Sequence, residues 1–238
     1  MDSEHTHPLD EPATELGARR RRPFRRGRWL LLALVLLGAL IVAIVQQWRG
    51  NREHSQDDAI LAAALRYNIH PALIKAVVWR ESWFDPNARG TSGEVGLMQI
   101  RAPTAQDWAT AEKNKLFTHF QLFDPVKNTQ CGAWYLRRLL NRYRQTDNPL
   151  AYALAAYNAG PANVSRWSKG EASTNSLVML RQMDFPGTRK YVASVTERYE
   201  LYRKNFPPKN WMQNHRQPLI EHPRVQSRVR ALSRLSSS

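Results

Sequence analysis

The sequence predicts a mainly α-helical domain behind a single membrane-crossing helix. Three observations predict it. Apolar residues return at three- and four-residue spacing in one segment after another between residues 57 and 206. Period-two alternation is sparse, so strands are confined to a small hairpin in one Gly-rich loop. Leu30 to Val45 holds no charged or strongly polar side chain.

Residues 1–28 read as a disordered, Arg-rich cytoplasmic tail, with seven arginines against five acids and little apolar content. Residues 29–48 read as a transmembrane helix. At about 1.5 Å per residue the stretch crosses a bilayer, and Trp29 and Trp48 stand where interfacial aromatics belong. The arginines on its N-terminal side place the N-terminus in the cytoplasm and everything after Gly50 outside. A cleaved signal peptide is the competing reading; it would carry a shorter apolar core and a small-x-small cleavage site. Residues 49–56 read as a polar linker.

Within 57–206 the helices announce themselves by caps and prolines. Asp57 or Asp58 caps a first helix running to about Tyr67. Asn68-Ile69-His70-Pro71 breaks it, and Pro71 suits the first turn of the next helix, which Asp85-Pro86 ends. Asn87 to Gly96 is a loop with glycines at 90, 93 and 96, followed by a helix from about Thr104. Asp124-Pro125 and Asn148-Pro149 open two more helices. A last one spans about Thr188 to Lys204, with Tyr191, Val192, Val195, Tyr199 and Tyr202 at helical spacing. Residues 207–238 are basic and proline-broken and read as a disordered tail.

The net charge of +15 admits a nucleic acid, anionic lipid or an acidic polymer as partner. No zinc-finger spacing, RNA-binding consensus or phosphate loop is present, so no nucleic acid is expected. The seven His are scattered without His-Glu-x-x-His spacing, so no metal or other cofactor is expected. Cys131 is the single cysteine and lies inside an apolar helical pattern, which makes it a core residue rather than a nucleophile.

Glu81 carries the most chemistry. Leu73, Val77 and Glu81 recur every four residues, and Ile74, Val78 and Ser82 run beside them. That spacing sets a carboxyl group on or beside the face that a helix buries. Burial raises a carboxyl pKa, and an acid still protonated near neutral pH can protonate the leaving oxygen of a glycosidic bond. The plain alternative is a solvated Glu at a fraying helix end.

Four segments then follow in order: Glu81-Ser82-Trp83-Phe84-Asp85-Pro86, Gly96-Leu97-Met98-Gln99-Ile100, Ala155-Ala156-Tyr157-Asn158-Ala159-Gly160-Pro161, and Thr188-Arg189-Lys190-Tyr191-Val192. Together they resemble the catalytic domain of the soluble lytic transglycosylases (SLT), a fold like that of goose-type lysozyme. The resemblance covers residues 57–206. It implies cleavage of the β-1,4 bond between N-acetylmuramic acid and N-acetylglucosamine in peptidoglycan, leaving a 1,6-anhydro sugar, and a domain outside the bacterial inner membrane facing the wall.

By the same resemblance Glu81 is the acid and then the base, while Ser82, Met98, Gln99, Tyr157, Asn158 and Tyr191 line the substrate groove. The Tyr157 hydroxyl is expected near the acid. Plain readings stand beside these: a core Met98, a turn-capping Gln99, a helix C-cap around Asn158 or Gly160, and a core Tyr191.

Departures from the family pattern are Gly90 in place of a serine, Gly187 in place of a glutamate, and Glu94 in place of a small residue. Glu94 is a candidate second carboxylate. It leaves open a lysozyme-like hydrolase that uses water, while the two glycines leave open a catalytically impaired peptidoglycan-binding protein.

Overall fold

The computed structural model describes residues 24–208 and 211, with side chains from Arg28 onward. Most of the two expected tails, 1–28 and 207–238, lies outside these residues. The chain divides into two units, residues 1–48 and 49–238.

α1 (Phe24–His54) carries the apolar run in its first-unit part and ends inside the second unit. It is long and apolar enough to cross a membrane. Its Leu, Ile and Val side chains from Leu30 to Val45 are all exposed among the described residues. The helix continues past the expected end of the anchor, and most of the expected 49–56 linker is helical as far as His54. Polar composition misleads there because this last turn already belongs to the second unit and finds partners within it. Arg52 lies 3.5 Å from Asp85, the Glu53 carboxylate accepts a short hydrogen bond from Tyr202 Oη, and His54 Nδ1 meets Asp57 at 2.8 Å.

The second unit is a ring of helices. α2 (Asp57–Tyr67) packs on α5 (Pro125–Arg142), α5 on α6 (Pro149–Ala159), α6 on α9 (Pro186–Tyr202), α9 on α3 (Pro71–Ser82), and α3 back on α2. α6 is buried on every side from Pro149 to Ala156, as a central helix must be. The proline-led starts are real: Asp124 accepts from the Lys127 N–H at 2.9 Å and Asn148 from the Ala151 N–H at 3.4 Å. The helix expected from Thr104 begins two residues earlier as α4 (Ala102–Ala111), with Pro103 in its first turn. The last helix likewise starts at Pro186 and ends at Tyr202.

α3 is held at its start by His70, whose Nδ1 accepts from the Ala72 N–H at 3.2 Å. Burial, helped by the Arg203 charge, pushes the His70 pKa down to about 4, which keeps this ring nitrogen free to accept. Two short helices, α7 (Pro161–Trp167) and α8 (Ser176–Gln182), fill the stretch between α6 and α9. The Gly-rich loop makes two isolated antiparallel bridges, Arg89 with Val95 and Val95 with Ile100, close to the small hairpin expected.

Candidate active site

α3 delivers Glu81 one residue before its end, and the backbone then reverses hard. Trp83 and Phe84 both take left-handed conformations, φ 52° and 62°, which cost energy for bulky residues. The reversal sends Phe84 into the core, 2% exposed, while Trp83 stays exposed. Gln99, in the loop that faces this turn, is also left-handed at φ 47°. Three of the five non-glycine positive-φ residues among those described thus flank one carboxyl group.

Glu81 is partly buried, and burial pushes its pKa up from 4.5 to about 7. Three weaker influences act on it. The Tyr191 hydroxyl donates to Oε1 at 2.6 Å and favours the charged form, as does the Arg80 charge; the Glu94 charge opposes it. Arg80 lies 5.6 Å over the Tyr191 ring. Burial keeps the Tyr191 phenol far above its ordinary pKa, so it remains a donor.

The remaining site residues are arranged around a loop clamp. Ser82 Oγ donates to the Leu97 carbonyl at 2.8 Å, tying the end of α3 to residues 95–100. Gln99 Nε2 donates to the carbonyls of Gly96 at 2.9 Å and Ala88 at 3.2 Å, as the turn-capping reading expects. Tyr157 Oη donates to the Met98 carbonyl at 2.9 Å. Tyr157 does lie near the acid, close enough for the Glu81 charge to add to the burial that holds its phenol pKa up. Its hydrogen bond, however, goes to the loop backbone, and Tyr191 is the tyrosine bonded to the acid.

The expectation for Met98 is corrected. Its side chain is fully buried against Gly132, so it offers no surface to a sugar. Asn158 lies inside α6, where its Oδ1 accepts from Thr188 Oγ1 at 2.8 Å and joins α6 to the start of α9. The positive φ that ends α6 belongs to Gly160.

Asn128 was not singled out by the sequence. It is fully buried in α5; its Oδ1 accepts from the Met98 N–H at 2.8 Å, and its Nδ2 donates to the carbonyls of Leu122 at 2.8 Å and Val95 at 3.0 Å. The available signal was a lone amide among the apolar positions of a helix. Gly96, at φ 75°, passes so close to that amide that a Cβ would overlap it.

Gly90 and Glu94 belong together. A Cβ at Gly90 would collide with the Glu94 carboxylate and stand 2.9 Å from both Glu94 Cβ and Gln99 Oε1. The space that a serine would use is filled by Glu94. That carboxylate accepts from the Ser92 N–H at 2.9 Å and lies 3.7 Å from Arg101. A Cβ at Gly187, by contrast, would meet open space. Among the described residues no cluster of His, Cys, Asp and Glu could hold a metal ion.

These observations meet the comparisons with known proteins. Residues 58–179 match the family model described as the transglycosylase SLT domain. Over 193 residues the chain is 32% identical to the membrane-bound lytic murein transglycosylase C of Edwardsiella ictaluri, covering 75% of this chain and 52% of the relative. An inactive glutamate-to-glutamine mutant of the lytic transglycosylase Slt from Pseudomonas aeruginosa superposes with a TM-score of 0.57 at 28% identity, over 69% of this chain and 25% of that one. The 70 kDa soluble lytic transglycosylase of Escherichia coli gives 0.52 at 27%, over 60% and 23%. The chain therefore spans about half of that curated relative and about a quarter of the solved ones. With the family model covering more than half of its residues, the chain belongs to the transglycosylase SLT domain family.

Proposed function

We propose that this protein is a membrane-anchored peptidoglycan lytic transglycosylase. It cleaves the N-acetylmuramic acid–β-1,4–N-acetylglucosamine bond and leaves a 1,6-anhydromuramyl end. The observation that carries the reading is Glu81, a partly buried carboxyl with its pKa raised to about 7 and a tyrosine hydroxyl on one oxygen. At neutral pH a large share of such groups is protonated, and the other oxygen is left to serve the glycosidic oxygen. Proton transfer releases the N-acetylglucosamine hydroxyl and leaves an oxocarbenium-like muramyl group.

The Tyr191 hydrogen bond supports the carboxylate that results. That carboxylate then takes the proton of the muramyl C6 hydroxyl as its oxygen closes on C1, which restores the acid. One carboxyl suffices because the nucleophile belongs to the substrate. Ser82, Gln99, Tyr157 and Asn158 act by holding the groove's backbone in place, through the hydrogen bonds that they make to it or to α9. The Pseudomonas relative, inactive with glutamine for a glutamate, is consistent with an essential acid.

The helix within 29–48 is the proposed anchor, N-terminus in the cytoplasm, which holds the domain outside the inner membrane near its polymer. The basic exterior suits a wall whose peptides carry carboxylates.

The test is mass spectrometry of muropeptides released from purified sacculi by the full chain in detergent, with Glu81→Gln as control. Anhydromuramyl products absent from the control are expected. Products heavier by one water would instead favour a hydrolase, the second reading, which the Glu94 charge felt at Glu81 keeps in view. A protein that sediments with sacculi yet releases nothing would be a binding module.

A further inference from the structure

Tyr191, Ser194 and Arg198 are spaced three and four apart, so α9 carries them on one face, with the contact to Glu81 at one end. Further along that face lies a pocket of about 370 Å³, walled by Trp79, Ser194, Glu197, Arg198, Glu200 and Lys204 among others. Half of these polar groups are already engaged. Ser194 Oγ donates to the Tyr191 carbonyl at 3.0 Å, Glu200 pairs with Arg203 at 3.3 Å, and Arg198 lies 4.1 Å over the Trp79 ring and 3.9 Å from Glu53.

Three groups are left. The Trp79 indole N–H is buried with no acceptor among the described residues, a costly state that a bound acceptor reaching it would relieve. The Glu197 carboxylate and the Lys204 ammonium have no ion-pair partner among the described residues. A pocket with two acids and two bases rejects a polyanion and suits a ligand that carries both signs.

We propose that this pocket binds the stem peptide of the substrate, with a free carboxylate at Lys204 beside the Trp79 indole and a free amine at Glu197. The proposal rests on the lytic reading above. Stem peptides hang from the muramyl sugar, and the seven steps from Tyr191 to Arg198 advance about 10 Å along the helix. An extended peptide covers that in about three residues. A peptide hanging from a glycan seated at Glu81 is therefore long enough to reach this pocket.

The full chain in detergent is assayed on sacculi and on the same glycan strands stripped of peptide by an amidase, with the double variant Glu197→Gln/Lys204→Met beside the wild type. Both positions are exposed, which spares the fold. The expected result is a drop of about fivefold in kcat/KM on peptide-bearing strands and no change on stripped strands. An unchanged ratio between the two substrates, with both cleaved, overturns the pocket assignment alone. Cleavage of neither by the wild type overturns the lytic reading and this proposal together.

Discussion

α3 buries two ionisable groups six residues apart, and they meet opposite fates. Lys75 is 1% exposed, and its Nζ donates to Asp57 Oδ1 at 2.5 Å while lying 4.3 Å from the Phe206 ring centroid and 5.5 Å from that of Tyr202. Its charge is answered by an opposite charge. Glu81 makes no ion pair among the described residues: its hydrogen-bond partner is a neutral hydroxyl, and the Arg80 charge acts on it only weakly, without direct contact. Pairing a buried charge fixes it; giving it a neutral partner leaves its proton affinity open to burial, and burial raises it. One helix thus holds a structural charge and a chemical one, and the partner decides which is which.

The comparison breaks first at Glu81. Glu81→Gln should lower turnover by about 10²–10⁴-fold in the muropeptide assay. The same variant should be the more stable protein at alkaline pH. A carboxyl whose pKa rises from 4.5 unfolded to about 7 folded costs stability as pH climbs through that window, and glutamine has no such cost. A Tm advantage that is absent below pH 4.5, grows between pH 4.5 and about 7 and is complete above that is the expected signature; equal Tm values at both ends would contradict the burial argument.

Asp57→Asn should do the reverse. It strands the Lys75 ammonium and should cost about 3 kcal/mol, roughly 6–12 °C in Tm, with the pH profile of turnover unmoved. A shifted profile would mean that the two charges are coupled.

Tyr191→Phe sharpens the contrast by removing the hydroxyl from the acid. Wild-type turnover should fall as pH rises through about 7, where the acid loses its proton. Without the hydrogen bond the Glu81 pKa should rise further, so this alkaline limb moves up while kcat falls about tenfold. An unmoved limb would show that Tyr191 is only a core aromatic. Glu94→Gln should have the smallest effect, moving the limb down because a repelling charge is gone. Loss of activity there, rather than a shift, would turn the assignment towards the hydrolase.

The ring of long helices was legible because four of its five helices begin with a proline in the first turn, as Asp124-Pro125 and Asn148-Pro149 illustrate. α2 alone starts without one, and Gln56 rather than Asp57 or Asp58 stands at its N-cap, with no side-chain hydrogen bond there. α7 and α8, seven residues each, were too short for periodicity to rise above their surroundings. Helical structure through 49–54 was hidden because polar residues that dock on a neighbouring surface look like polar residues in water.

At the site, position on the α3 stripe singled out Glu81 only together with the three motifs downstream of it. The two tyrosines were not separable, because which hydroxyl reaches the acid depends on how α6 and α9 pack. Gly90 looked like a loss until the loop showed the Glu94 carboxylate in the space beside it. The pair is one exchange made at two positions, and neither residue alone reveals it.

Asn128 sets a limit on how freely this protein can drift. Its side chain must accept at one end and donate twice at the other, at one length, inside a closed space. Aspartate has the shape without the donors, leucine has the volume without either, and glutamine has the chemistry one methylene too far. A saturation library at this position, selected for activity, should return asparagine almost alone, while the rim of the groove tolerates exchange. The most stringent constraint on this site would then fall on a fully buried residue rather than on its rim.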